Sequence, residues 1–306
     1  MNKKINIFSL VVLGLSFFIV TTPVWFPSQN NSASVLGSRS SFKGVGLGWS
    51  FYGSSNLKDM KNLGVTRVYN WSFSPEFYDL FAQAGIEYLP MLPSKINLNE
   101  REKIGKFARE HPEARYLLFN EPANRIQNNP PINPLAAVTT VDYYISLVGR
   151  NKIILGNVVA LDDVWHWLWK FIQAYKISHN GKTPAVLGYG GHAYYDDCVY
   201  LKKCPSQWNA EAYTRWLQSF KTKVKSWDPK AQVWFTEFGI LNRGRLPVAK
   251  LMQTAINWFE KAETPYFWFA TRSNGPGCVN CCCDLLKYPD GGLTWLGNYY
   301  SQLPKR

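Results

Sequence analysis

From Phe42 almost to the C-terminus, two kinds of segment alternate: apolar, β-branched and aromatic runs of about five to nine residues, and longer stretches with apolar positions every three or four residues. The short runs predict buried strands and the long ones amphipathic helices, so their alternation predicts βα units around a parallel sheet. The strand candidates are Val45 to Trp49, Thr66 to Asn70, Glu87 to Leu92, Tyr116 to Asn120, Lys152 to Val158, Val186 to Tyr194, Gln232 to Phe238 and Tyr266 to Ala270. Helical patterns include Glu100 to Glu110, Val164 to Ile177, Glu211 to Trp227 and Pro247 to Lys261, and in the last of these Val248, Leu251, Ala255 and Trp258 keep to one face. Trp165 and Trp169, four apart in the second pattern, read as packing residues. The faintest helix is the one after the eighth strand, over Trp295 to Leu303. Eight strands in about 265 residues predict an α/β fold of one (β/α)8 TIM barrel over 42–306.

The N-terminus has a different pattern. Lys3 and Lys4 precede an apolar run from Ile5 to Val20, and Val24 to Phe26 add a further apolar patch. Residues 1–26 therefore read as a signal peptide or a signal anchor, with Ser32-Ala33-Ser34 as a small-residue cleavage site. A linker rich in Ser, Asn and Gly follows over 27–41. With both lysines on the inside, either reading exports the barrel, secreted or held at the outer face of the membrane by association through residues 5–26.

Composition removes some classes of function. Of the 306 residues 46% are hydrophobic and 18% charged, which excludes a disordered chain. The 13 Trp, 17 Tyr and 18 Phe exceed the ordinary need of a core and suit a flat, partly apolar ligand such as a sugar ring. The net charge is +13, yet Lys221, Lys223, Lys225 and Lys230 form the nearest thing to a basic run and read as the exposed side of one helix. Nucleic acid is disfavoured as a partner, while an anionic surface or polymer stays open. Six cysteines in an exported chain suggest disulfides: Cys198 and Cys204 in one segment, Cys278, Cys281, Cys282 and Cys283 in another, with the connectivity open. Cys278 and Cys281 also have zinc-type C-x-x-C spacing, but no His joins the cluster, and no metal or other cofactor is expected.

A barrel sorts its carboxylates by position, since strand C-terminal ends face the active site and N-terminal ends face a structural floor. Glu87, Glu113 and Glu263 open or precede strands and fall on the floor. Glu121 follows Tyr116-Leu117-Leu118-Phe119-Asn120 and is fixed at the tip of the fourth strand by Pro122. Glu237 ends the seventh strand in Val233-Trp234-Phe235-Thr236-Glu237-Phe238-Gly239. Both tips overlook one mouth, which makes this pair the candidate for acid–base chemistry. Gly191-His192-Ala193-Tyr194 closes the sixth strand with its two large polar side chains on one face.

Asn120-Glu121-Pro122 and Thr236-Glu237-Phe238-Gly239, in this order and at these strand ends, resemble the signature of the retaining clan A (β/α)8 glycoside hydrolases. With Tyr69-Asn70-Trp71-Ser72, Tyr88-Leu89-Pro90-Met91-Leu92 and Gly191-His192-Ala193-Tyr194, the chain resembles the glycosyl hydrolase catalytic core group related to family 128 endo-β-1,3-glucanases. The resemblance implies Glu121 as acid/base with a raised pKa, Glu237 as nucleophile, and Asn120 as donor to the sugar 2-hydroxyl. It also implies His192 and Tyr194 beside Glu237, and Trp268 as the platform under the sugar, with Trp49, Tyr69 and Trp71 extending that platform. The implied function is hydrolysis of β-linked glucan, endo-β-1,3-glucan first, by double displacement through a covalent glycosyl-enzyme; the chain is expected to act as a monomer. The cysteine-bearing segments depart from that pattern and leave the linkage open. Two other classes fit parts of the sequence: a non-catalytic carbohydrate-binding barrel, and a zinc or redox protein built on free thiols.

Overall fold

Period-two alternation along each short strand sends one set of side chains into a closed sheet and the other towards surrounding helices. The structure, a computed structural model, describes residues 42–48, 54–95, 98–240, 248–272, 283–287 and 291–304. The expected export segment over 1–26, the linker over 27–41, Trp49, Cys278, Cys281 and Cys282 lie outside the described residues. No helix among the described residues is long and apolar enough to cross a membrane.

Among the described residues there are nine parallel strands: β1 (Lys43–Gly46), β2 (Arg67–Tyr69), β3 (Glu87–Leu89), β4 (Met91–Leu92), β5 (Tyr116–Leu118), β6 (Ile153–Val158), β7 (Gly188–Tyr194), β8 (Gln232–Gly239) and β9 (Tyr266–Trp268). Their order is β3-β2-β1-β9-β8-β7-β6-β5-β4. The strand expected over Glu87 to Leu92 is thus two pieces, broken at Pro90, which has no N–H to give to a ladder. Its first piece pairs with β2 and its second with β5, and the Pro90 carbonyl accepts from Leu117 N at 3.0 Å. One strand therefore supplies both ends of the sheet, which curls into a nearly closed, TIM-like barrel.

Around it lie α1 (Ser54–Leu63), α2 (Glu76–Ala82), α3 (Leu98–Glu110), α4 (Pro134–Val148), α5 (Trp167–Ser178), α6 (Tyr195–Tyr200), α7 (Ala210–Trp227), α8 (Val248–Lys261) and α9 (Trp295–Ser301). Side chains set their ends: Asn133 and Asn209 cap α4 and α7 by accepting from Leu135 N and Ala212 N, and Thr294 caps α9 by accepting from Gly297 N. The short α6 follows β7 directly. Trp165 and Trp169 are corrected as well: α5 starts only at Trp167, and the two indoles are 46% and 43% exposed. Lys221 and Lys225 donate to the Ala262 and Pro229 carbonyls, and Lys223 pairs with Asp163, so these cations are committed within the protein.

Inside the barrel, Tyr69, Leu89, Met91, Leu117, Ile154, Trp234 and Phe267 form one apolar cluster, while a larger one fills the layer between strands and helices. On β9 the inward residue is Phe267, so Tyr266 and Trp268 point outward. Trp268 is 0% exposed, meets Phe238 edge to face at 5.0 Å and donates from Nε1 to the Cys283 carbonyl at 2.7 Å. The expected sugar platform at Trp268 is thereby corrected: strand parity turns its ring into the helix layer. On the barrel floor Glu87 pairs with Arg67 at 3.0 Å and with Arg115, and Glu113 accepts from the Tyr78 hydroxyl at 2.6 Å.

Candidate active site

Local backbone geometry aims the two carboxylates. After β5 the chain turns sharply: Phe119 has φ 64° and Glu121 φ 45°, left-handed values that non-glycine residues hold only when their surroundings impose them. Asn157 on β6 imposes them here. Its Nδ2 donates to the Phe119 carbonyl at 2.7 Å, and its own carbonyl accepts from Glu121 N at 3.1 Å. The room for that asparagine comes from Gly190, where a Cβ would stand 2.2 Å from Asn157 Oδ1. Asn128 completes the brace by donating to the carbonyls of Asn120 and Glu121, each at 2.9 Å.

Glu237 depends on a bulge. Gly191 is opposite Phe235 and His192 is opposite Glu237, so Thr236 has no counterpart on β7. The bulge places two successive residues between outward-facing Phe235 and Phe238, and Glu237 turns over the mouth instead of into the helix layer. There three donors converge on it. Tyr69 Oη and Trp71 Nε1 each donate to Oε1 at 3.1 Å, and Tyr194 Oη donates to Oε2 at 2.5 Å.

His192 joins the two carboxylates. Its Nδ1 lies 2.9 Å from Glu121 Oε1 and 3.4 Å from Glu237 Oε2, so a proton on Nδ1 faces both. One oxygen of each carboxylate and a ring nitrogen all fall within 4.8 Å of one another. Such a trio could hold a divalent cation only if Nδ1 gave up that proton. Burial works to raise the Glu121 pKa, but the His192 bond and charge, with Asn124 Nδ2 donating to Oε2 at 2.6 Å, outweigh it and hold the carboxyl below its ordinary value. The raised pKa expected at Glu121 is therefore corrected. For His192 burial works downward, and the charges of Glu237, Glu121 and Asp197 overcome it and raise the imidazole. One proton is thus kept in the Glu121–His192 hydrogen bond, beside a Glu237 that accepts from Tyr69, Trp71 and Tyr194. That pattern suits a reaction needing one proton donor and one anion.

A cavity of about 690 Å³ opens above these groups, lined among others by Asn120, Glu121, Asn124, Tyr194, Asp197, Glu237 and Phe269. A second, of about 620 Å³, shares Trp71, Asn120 and Gln127 with it and continues past Ser72, Phe73 and Lys103. Asn120 stands where the two meet, and its Oδ1 is shielded and unpartnered. Trp71 is 36% exposed and lines both cavities, whereas Tyr69 is buried against Phe267 at 5.2 Å and presents only its hydroxyl. Tyr69 is thus corrected from a platform to a donor. Two rings stand beside Trp71: Tyr69 at 5.3 Å, and Phe269 at 5.6 Å, which is also 5.8 Å from Tyr194.

Asn124, Asn157 and Phe269 were not singled out from sequence. The parity of β9 could have found Phe269, because Phe267 and Phe269 share a face. Nothing local marks the two asparagines. Cys198 and Cys204 form a disulfide with Cα atoms 5.2 Å apart, closing the turn that begins with α6. Cys283 is buried, with Sγ on the Ile240 carbonyl.

A nearly closed barrel with two joined carboxylates at the C-terminal mouth of its strands has the architecture of a glycosidase. The chain belongs to the glycosyl hydrolase catalytic core family, whose model matches residues 46–300. Comparison with curated proteins gave no match. Among solved structures, a family 128 subgroup II endo-β-1,3-glucanase from Pseudomonas viridiflava aligns with TM-score 0.62 and 21% identity, over 86% of this chain and 97% of its own. A subgroup VI exo-β-1,3-glucanase from Aureobasidium namibiae aligns with TM-score 0.57 and 16% identity, over 86% and 97%. Thermotoga maritima Cel5A in complex with mannotriose aligns with TM-score 0.55 and 11% identity, over 85% and 96%. At these identities the likeness is one of fold.

Proposed function

We propose that the protein is a retaining hydrolase of β-linked glucan, with endo-β-1,3-glucan as its substrate. The observation that carries this reading is that one oxygen of Glu121 and one of Glu237 lie within 4.8 Å of each other, both facing Nδ1 of His192. Retaining double displacement needs carboxyl groups about 5–5.5 Å apart, whereas an inverting mechanism needs about 6.5–9.5 Å to admit a water. In this reading Glu121 protonates the departing glycosidic oxygen as Glu237 attacks the anomeric carbon, and a glycosyl ester forms on Glu237. Glu121, now a base, takes a proton from water, which attacks the same carbon and releases the sugar and free Glu237. Asn120, at the junction of the cavities, donates to the 2-hydroxyl, and Phe269 with Trp71 gives the ring an apolar wall.

Two adjoining cavities of about 620 and 690 Å³ suit several consecutive sugar units, which favours a polysaccharide over a disaccharide. The family 128 likeness favours β-1,3 linkage. The test is a panel of β-1,3-, β-1,4- and mixed-linked glucans and mannan with product sizing: β-1,3-glucan should be cut fastest, into mixed oligosaccharides. Turnover of β-1,4-glucan or mannan alone would refute the linkage, and glucose as sole early product would refute endo action.

Tyr194→Phe probes the grip on Glu237. Losing one hydrogen bond to a charged group costs about 1.5–3 kcal/mol, so kcat/KM on the best glucan should fall about 10–100-fold with the fold intact. A loss under about twofold would show that this hydroxyl does not hold the nucleophile.

A further inference from the structure

Two polar atoms next to the site have no hydrogen-bond partner among the described residues although both are shielded from solvent: Nε2 of His192 and Oδ2 of Asp197. His192 commits Nδ1 to Glu121 and Glu237, so Nε2 is its remaining polar atom, a donor when the ring is charged. Asp197 stands in the first turn of α6, three residues after Tyr194, and lines the same cavity as Glu121 and Glu237. Its neighbour Cys198 is tied to Cys204, so the turn that presents the carboxylate is covalently closed. An orphaned acceptor and, when the ring is charged, an orphaned donor thus stand beside the same pair of carboxylates, and the Asp197 charge reaches His192.

We propose that Asp197 is a positioning residue that acts on Nε2 of His192 and thereby keeps the proton of the Glu121–His192 pair in the site. The proposal rests on Glu121 serving as the acid and base of the reaction. Other groups around Asp197 do not replace it. Glu121, from the loop after β5, and Glu237, on β8, face Nδ1. Tyr213 of α7 donates its hydroxyl to the Ala193 carbonyl at 2.6 Å, and Arg272, beyond β9, points its guanidinium at the Lys287 carbonyl. Asp196, on the same helix, acts as a like charge on Asp197. Burial pushes Asp197 up to about 6, with His192 pulling it down and Glu121 and Asp196 adding to the rise. Its charge is therefore present above about pH 6.

The sign of the effect follows from this charge. An anion beside the pair stabilises the pair's proton, and removing it lets the proton leave at lower pH. In Asp197→Asn the imidazole of His192, followed by NMR, should titrate lower than in the wild type by about half a unit or more. The basic limb of kcat/KM should move to lower pH with it, while KM and the thermal midpoint stay close to wild type. Asp197→Glu, which keeps the charge, should restore most of both. A folded Asp197→Asn or Asp197→Ser protein in which His192 titrates as in the wild type, or higher, overturns the proposal. The NMR reading needs no turnover, so it stands even if the panel shows no glucan hydrolysis. In that case the proposed function fails by itself.

Discussion

Glu237→Ala should abolish glucan hydrolysis, with a loss on the order of 10⁴-fold or more in kcat. The size follows from what the residue would do: without it no group within bonding reach can attack the anomeric carbon, and the three donors from Tyr69, Trp71 and Tyr194 are left around an empty space. That space can take a small anion. With an aryl β-glucoside oligomer and azide, azide should attack from the vacated side as the phenol leaves, giving the α-glycosyl azide, of inverted configuration. Isolation of the β-azide, or turnover within about tenfold of wild type, would show that Glu237 is not the nucleophile.

Glu121→Ala should behave differently because it removes the proton and not the attacking group. On glucan the loss should be about 10²–10⁴-fold, the usual worth of a positioned acid. On an aryl glycoside with a good leaving group the first step needs no proton, so the glycosyl-enzyme should form and accumulate. Azide should then release it as the β-glycosyl azide, of retained configuration, since this nucleophile needs no base. Equal losses on activated and natural substrates would contradict the assignment. His192 bears on the same experiment. The His192 bond and charge lower Glu121 while burial raises it, so desolvation by a bound sugar works towards the acid form of Glu121.

The barrel was legible because eight apolar runs and the helices between them carry their periods openly, and because Glu121 and Glu237 occur at strand tips. What escaped had no local signal. The break at Pro90 is where one strand serves both ends of the sheet, a property of closure and not of the run Glu87–Leu92 itself. The bulge at Thr236 depends on what β7 places opposite it, and strict alternation along β8 would have turned Glu237 outward. Trp268 was misplaced for a simpler reason: its size suggested a sugar platform, but its parity with Tyr266 puts it among the helices, and Phe269 takes the position beside Trp71. Asn124 and Asn157 are ordinary loop and strand residues by sequence. They are recognised only when folding brings them to Glu121 and to the Phe119 carbonyl.

The central claim is double displacement through Glu121 and Glu237, and the most direct test is the configuration of the first product. Wild-type protein is mixed with a β-1,3-glucan oligosaccharide and the new reducing end is followed by proton NMR before mutarotation. The β-anomer should appear first and the α-anomer only as equilibrium is approached; an α-anomer present from the earliest spectra would contradict double displacement.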